Sequence, residues 1–122
     1  MRQIPFDEDE AILLLDAYLR VTKDGQNRRR ALADLSDVLR KRALAKGLAI
    51  TDSFRNDQGL VGRLRNMEHS FTASRIWTAG LFDKTVEFYK NNCPEHMRCL
   101  NTVRNGLFTN NISPVIMNTE LN

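Results

Sequence analysis

A chain of 122 residues has room for one domain around one core, and its 42% hydrophobic and 27% charged residues are ordinary for a folded protein. No apolar run approaches the roughly 20 residues that cross a bilayer. The start, Met1 to Phe6 followed by four acids, lacks an apolar signal region, so a cytoplasmic protein with no membrane contact is expected. The formal net charge of +3 is unevenly divided. Residues 1–26 carry three bases and six acids, residues 27–65 ten bases and four acids, and residues 66–122 five of each. A basic middle third can attract phosphate or an acidic partner. Two cysteines, Cys93 and Cys99, are too few for a disulfide framework in so short a chain and are expected to be reduced thiols.

In chain order, Asp7 and Glu10 form a capping-box pair that opens a first helix over about 8–23. Its four leading acids suit the positive end of the helix dipole. Ala11, Ile12, Leu14, Leu15, Tyr18 and Leu19 make a wide stripe, and Leu13, Ala17 and Val21 nearly close the circle, which marks a central helix. Leu13 is also a candidate exposed contact. Asp24-Gly25 ends this helix.

Asn27 caps a second helix with Ala31, Leu32, Leu35, Val38, Leu39 and Ala43 at spacings of three and four. Its other face holds Arg28, Arg29, Arg30, Arg40, Lys41, Arg42 and Lys46. Arg30–Asp34 and Asp37–Lys41 have the spacing of weak surface ion pairs. Three arginines in the first turn oppose the helix dipole, so they are either tolerated or wanted for a partner. Gly47 stops the helix, and Leu48-Ala49-Ile50 reads as a link entering the core.

Thr51 to Glu68 departs from simple helices. Thr51 caps a turn, Phe54 is the expected buried anchor, and Asn56-Asp57-Gln58-Gly59 has the residue types of a sharp corner. A basic helix starts near Leu60, with Leu60, Val61, Leu64 and Met67 inward and Arg63 and Arg65 elsewhere. Asp52, Phe54, Asn56 and Gly59 are the structural corner. Arg55 and Asn56 are expected to hydrogen-bond across it.

His69 to Ser74 reads as a polar break. Ser74 caps a helix over about 75–91 with Gly80 inside it, and Pro94 opens a last helix that Asn105-Gly106 ends. Residues 107–122 read as an irregular tail, with Leu107, Phe108, Ile112, Val115 and Ile116 as apolar contacts. The fold class expected is all-α: a compact bundle of five to six helices over 1–106 and a tail over 107–122.

The run Asp52, Phe54-Arg55-Asn56, Gly59-Leu60, Met67-Glu68, with Leu81-Phe82, Val86 and Tyr89 to Asn91, resembles a small helical module at or near the N-terminus of bacterial DNA-processing and restriction-type multidomain proteins. Asp9-Glu10-Ala11 to Tyr18-Leu19 fits the module's start, and the likeness covers about residues 6–100. It implies a bacterial or phage-related accessory domain with no catalysis of its own. No enzyme domain follows in this sequence, so both action in cis, as the family context implies, and action as a free adaptor or inhibitor are open.

Arg28, Arg29, Arg30, Arg40, Arg42, Arg55, Arg63 and Arg65 are the candidate contacts for a partner or for nucleic acid, DNA or RNA. Phe54 is the one aromatic among them, which argues against base stacking. A helix-turn-helix with Arg63, Arg65 and Asn66 in the groove requires a shorter link than Lys46 to Leu60. Cys93, His96 and Cys99, with His69 as a fourth, lie too far apart on one helix for a tetrahedral metal site, so no metal and no cofactor are expected. With only two histidines and no Gly-rich phosphate loop or nucleophile elbow, an enzyme is not expected. The leading expectation is an adaptor contacting a protein, such as a nuclease or restriction-type complex. Nucleic-acid binding through 28–65 is the alternative. A homodimer in which the acidic start meets the basic middle of a second copy is the self-association form.

Overall fold

The computed structural model describes residues 5–72 and 80–112, with side chains from 5–72 and 80–105. Five helices follow in order: α1 (Glu8–Thr22), α2 (Arg28–Ala45), α3 (Asp57–Thr72), α4 (Leu81–Asn91) and α5 (Cys93–Ile112). The chain is all-α and compact, with no strand among the described residues.

α1 is the hub, touching all four other helices. Its near-continuous apolar surface explains this: Ala11 to Leu15, Ala17 and Tyr18 are buried, so no side of the helix faces water for long. Leu13 belongs to this core at 4% exposure and is therefore not an exposed contact. Around α1 pack Leu32, Leu35 and Leu39 of α2, Leu60, Leu64 and Met67 of α3, Val86 of α4 and Leu100 of α5. Each fully buried leucine contributes about 1.5–3 kcal/mol relative to exposure.

Local chemistry sets most helix ends. The Asp7 carboxylate accepts from the Glu10 amide at 2.8 Å while the Asp7 amide donates to Glu10 Oε1 at 3.1 Å, the reciprocal box expected at α1. Asn27 Oδ1 accepts from the Arg30 amide at 3.1 Å to open α2. Gly47, at φ +83°, ends it by turning the chain through the left-handed region. Of the two surface pairs expected on α2, Lys41–Asp37 forms at 3.1 Å, and no ion pair joins Arg30 to Asp34 among the described residues.

Several boundaries differ from the sequence expectation. The link after Gly47 stays at the surface, with Leu48 exposed, instead of entering the core. Phe54 is half-buried, not a core anchor, and Val61 lies on the outer side of α3. α3 begins at Asp57 and runs through the supposed polar break to Thr72. Gly80 is the N-cap of α4, not an interior residue. Ser74 and the expected helical start at 75 lie outside the described residues. The backbone of α5 continues through Asn105-Gly106 to Ile112, so residues 107–112 are helical, not irregular. A single glycine costs a helix only about 1 kcal/mol and is a weak stop. Residues 113–122, with Val115 and Ile116, lie outside the described residues.

Candidate functional site

The corner between α2 and α3 is held to the start of α1 by ion pairs. Arg55 sits in the left-handed region at φ +49°, rare for a residue with a side chain. That backbone turn sends its guanidinium inward. Nε donates to Glu10 Oε2 at 2.9 Å, and Nη2 donates to Glu10 Oε1 at 3.1 Å and to the Pro5 carbonyl at 3.3 Å. The group is stacked near the rings of Phe6, 4.3 Å away, and Phe54, 4.5 Å away. Arg55 and Glu10 side chains are 8% and 6% exposed. Arg55 therefore ties the corner to α1, whereas the sequence suggested a bond confined to the corner. Its carbonyl accepts from Ser36 Oγ at 2.7 Å, which ties the corner to α2 as well.

Arg40 and Arg42 extend this framework. Arg40 Nη1 donates to the carbonyls of Thr51 at 3.0 Å, Asp52 at 3.2 Å and Phe54 at 2.6 Å. Those loop carbonyls have no helical partner, so one guanidinium satisfies an irregular turn. Arg42 spans Asp7 at 2.9 Å and Asp9 at 3.0 Å, and Lys46 adds a contact to Asp7 at 3.5 Å. Burial pushes the Asp7 carboxyl up, but the Glu10 amide and Arg42 outweigh it and hold Asp7 below the usual carboxylate range. Burial likewise works against the charge on Arg42, and Asp7 and Asp9 more than restore it. The acidic start and the basic middle thus meet within one chain.

The remaining corner residues act locally. Asn56 Oδ1 accepts from the Gly59 amide at 2.8 Å and caps α3. A Cβ at Gly59 would stand 3.0 Å from that oxygen, so glycine fits the cap closely. Asp52 is exposed and contributes its carbonyl to Arg40.

The eight candidate arginines therefore separate. Arg40, Arg42 and Arg55 are engaged inside the fold. Arg63 is half-buried with its guanidinium 5.1 Å from the Phe6 ring. Arg28, Arg29, Arg30 and Arg65 are exposed, and their side chains have no hydrogen bond or ion pair among the described residues. Arg28 and Arg29 line an open depression between the starts of α2 and α3, with Asn27, Leu32, Asp57, Gln58 and Val61. α2 has no acid in its first turn to offset its three arginines, each of which opposes the dipole by about 0.3–1 kcal/mol.

Sequence reasoning missed Pro5, Phe6, Ser36 and the acids Asp7, Asp9 and Glu10 as partners of the arginines. The opposite charges of the first two segments were the available signal.

Two further concave regions lie away from the corner. One, between α1, α2 and α5, has Leu13, Ala17, Ala31, Leu35 and Val38 as its floor and Asp16, Arg20, Asp34 and Arg104 at its rim. Asp16 there is paired with both Arg20 and Arg104. The other lies between α1, α4 and α5 over Ile12, Leu81, Phe88 and Val103. His96 is fully buried, with Phe88 and Tyr89 edge-on at 5.7 and 5.2 Å and neither ring nitrogen hydrogen-bonded. Cys93 is exposed and Cys99 half-buried. No group of three metal-ligating side chains occurs among the described residues, and no described helix is long and apolar enough to cross a membrane.

The fold and site together define a small all-α bundle with a buried ionic corner and a separate exposed arginine cluster. No protein-family model, curated protein or solved structure matches this chain.

Proposed function

We propose that the protein is a non-enzymatic accessory module that works by contacting another protein. The resemblance of its corner to modules of bacterial restriction-type proteins supports a DNA-processing or defence setting, of bacterial or phage origin. A nuclease-type complex that it tethers or inhibits is the partner class this setting suggests.

The observation that carries the reading is the division of the arginines. A phosphate-tracking surface needs many cations on one free face. Here Arg40, Arg42 and Arg55 are spent on carbonyls and carboxylates of the same chain. Of the free cluster, Arg28 and Arg29 share a depression with the exposed apolar Val61, a pairing of arginine and apolar surface that suits a protein interface.

Nucleic-acid binding is the second reading, supported by the unpaired exposed side chains of Arg28, Arg29, Arg30 and Arg65. Fluorescence anisotropy with a labelled DNA duplex and a single strand, across a salt series, separates the two. The protein-contact reading expects binding no tighter than about 10⁻⁴ M at physiological salt. Micromolar binding whose log affinity falls with log salt at a slope of about −3 or steeper, near −0.9 per phosphate, would overturn it.

A further inference from the structure

We infer that the depression between the starts of α2 and α3 is a docking site for an acidic protein segment that carries one apolar anchor residue. This rests on the protein-contact reading and names the chemistry of the partner.

Three observations converge there. Arg28, Arg29 and Arg30 stand in the first turn of α2, where the helix dipole disfavours cations and where no first-turn acid compensates them. Their side chains take no part in the fold, whereas Arg40, Arg42 and Arg55 do. The fold thus accounts for the second group of arginines and not for the first. Beside them Val61 is 36% exposed, although it lies on a helix whose other aliphatics, Leu60 and Leu64, are fully buried. Leu32, which also lines the depression, is buried in the core, so Val61 is the apolar side chain the depression offers to a partner.

Charge selects the occupant. Two guanidinium groups line the depression against one carboxylate, Asp57, so the site is net positive. Asp57 has its own reason to be there, since an acid in the first turn suits the dipole of α3. The acidic start of a second copy is a poor occupant, because Asp7, Asp9 and Glu10 are already bound to Arg42 and Arg55 within one chain. A nucleic-acid backbone would use the arginines and leave the exposed Val61 without a role. An acidic segment with one aliphatic or aromatic side chain uses both, the carboxylates on Arg28 and Arg29 and the apolar group on Val61.

The test uses the full chain and fluorescein-labelled helical peptides of 16 residues, read by anisotropy at 0.05 and 0.15 M salt. One peptide is acidic with a central leucine, a second has serine in place of that leucine, and a third is basic. A DNA duplex of the same net charge is the fourth probe. The acidic leucine peptide should bind most tightly, weaken several-fold as the serine version, and weaken about ten-fold with R28E/R29E. Val61→Ser should weaken the leucine peptide and leave the serine peptide unchanged. R28Q/R29Q gives a second variant pair without reversed charge, and circular dichroism checks that each variant is folded. Equal binding of the leucine and serine peptides, or binding insensitive to the arginine and Val61 variants, overturns this inference while leaving a protein contact elsewhere open. Tightest binding by the duplex, lost in R28E/R29E, overturns the protein-contact reading itself.

Discussion

Arg55 and Glu10, 45 residues apart in the chain, form a bidentate ion pair that both side chains keep almost entirely from water. Glu10 at the same time closes the capping box of α1, so one carboxylate fixes a helix start and the corner that leads into α3. The geometry requires Arg55 to hold a left-handed backbone, a strain of order 1–3 kcal/mol that the surrounding contacts must outweigh.

Removing one partner of this pair should cost far more than removing both. Arg55→Ala leaves Glu10 buried without its cation, and a loss of about 3–5 kcal/mol in unfolding free energy is expected. In a double-mutant cycle of Arg55→Ala, Glu10→Ala and the two together, the double change should cost less than the sum of the single ones, with a coupling above about 1 kcal/mol by urea denaturation. Additive losses would mean the pair is solvated in solution.

The cap on α3 yields a prediction of changed sign. Asn56→Ala should cost about 1 kcal/mol, the usual value of a lost N-cap. Gly59→Ala in the native background should be neutral or destabilising, because the new Cβ meets Asn56 Oδ1 at 3.0 Å. In the Asn56→Ala background that obstacle is gone, and the same change should stabilise by about 0.5–1 kcal/mol through helix propensity. Thermal unfolding of the four proteins reads this directly.

His96 should make stability depend on pH near neutrality. Burial among aromatic rings lowers its pKa, with Asp16 opposing, so the folded state holds the neutral form. The unfolded chain takes up a proton near pH 6.5 and the folded chain does so only at lower pH. Stability is therefore full above about pH 7 and falls as pH drops through 6.5 toward the folded value. His96→Phe should flatten this dependence between about pH 5.5 and 7.5 in parallel denaturation series. Asp7, whose pKa is lowered, loses its contribution as pH falls through the ordinary carboxylate value toward its lower folded one, outside that window. An unchanged slope in the variant would show that His96 is not the group responsible.

The two classes of arginine should respond oppositely to substitution. Arg42→Ala breaks contacts to Asp7 and Asp9 from a side chain only 12% exposed and should destabilise by roughly 1–3 kcal/mol. Arg29→Glu, in the first turn of α2, should stabilise by about 0.3–1 kcal/mol through the dipole. A stabilising charge reversal at Arg29 would confirm that the native residue is not kept for the fold.

The start of α1 and both ends of α2 were legible in the sequence because each depends on residues within four positions of one another, whereas Asp57 to Gly59, which read as a corner, form the first turn of α3. Asp7 with Glu10, Asn27 with Arg30, and Gly47 are such local devices. The centrality of α1 was legible too, since an apolar circumference has no other stable environment. The Gly106 signal misled because propensity is a weak prior against packing, and helical backbone continued past it, whereas Gly80, placed inside a helix against its low propensity, is a cap. For the arginines, a structural role for Arg55 was legible, but the partners of Arg40, Arg42 and Arg55 were not. Arg40, Arg42 and Arg55 find partners 11 to 50 residues away, and a linear pattern of charge carries no information about which cations those will be. The sequence by itself determined the helices and their amphipathic faces, whose causes are local. Only the tertiary structure decided which positive charges hold the corner and which stay exposed, because an ion pair depends on distance in space.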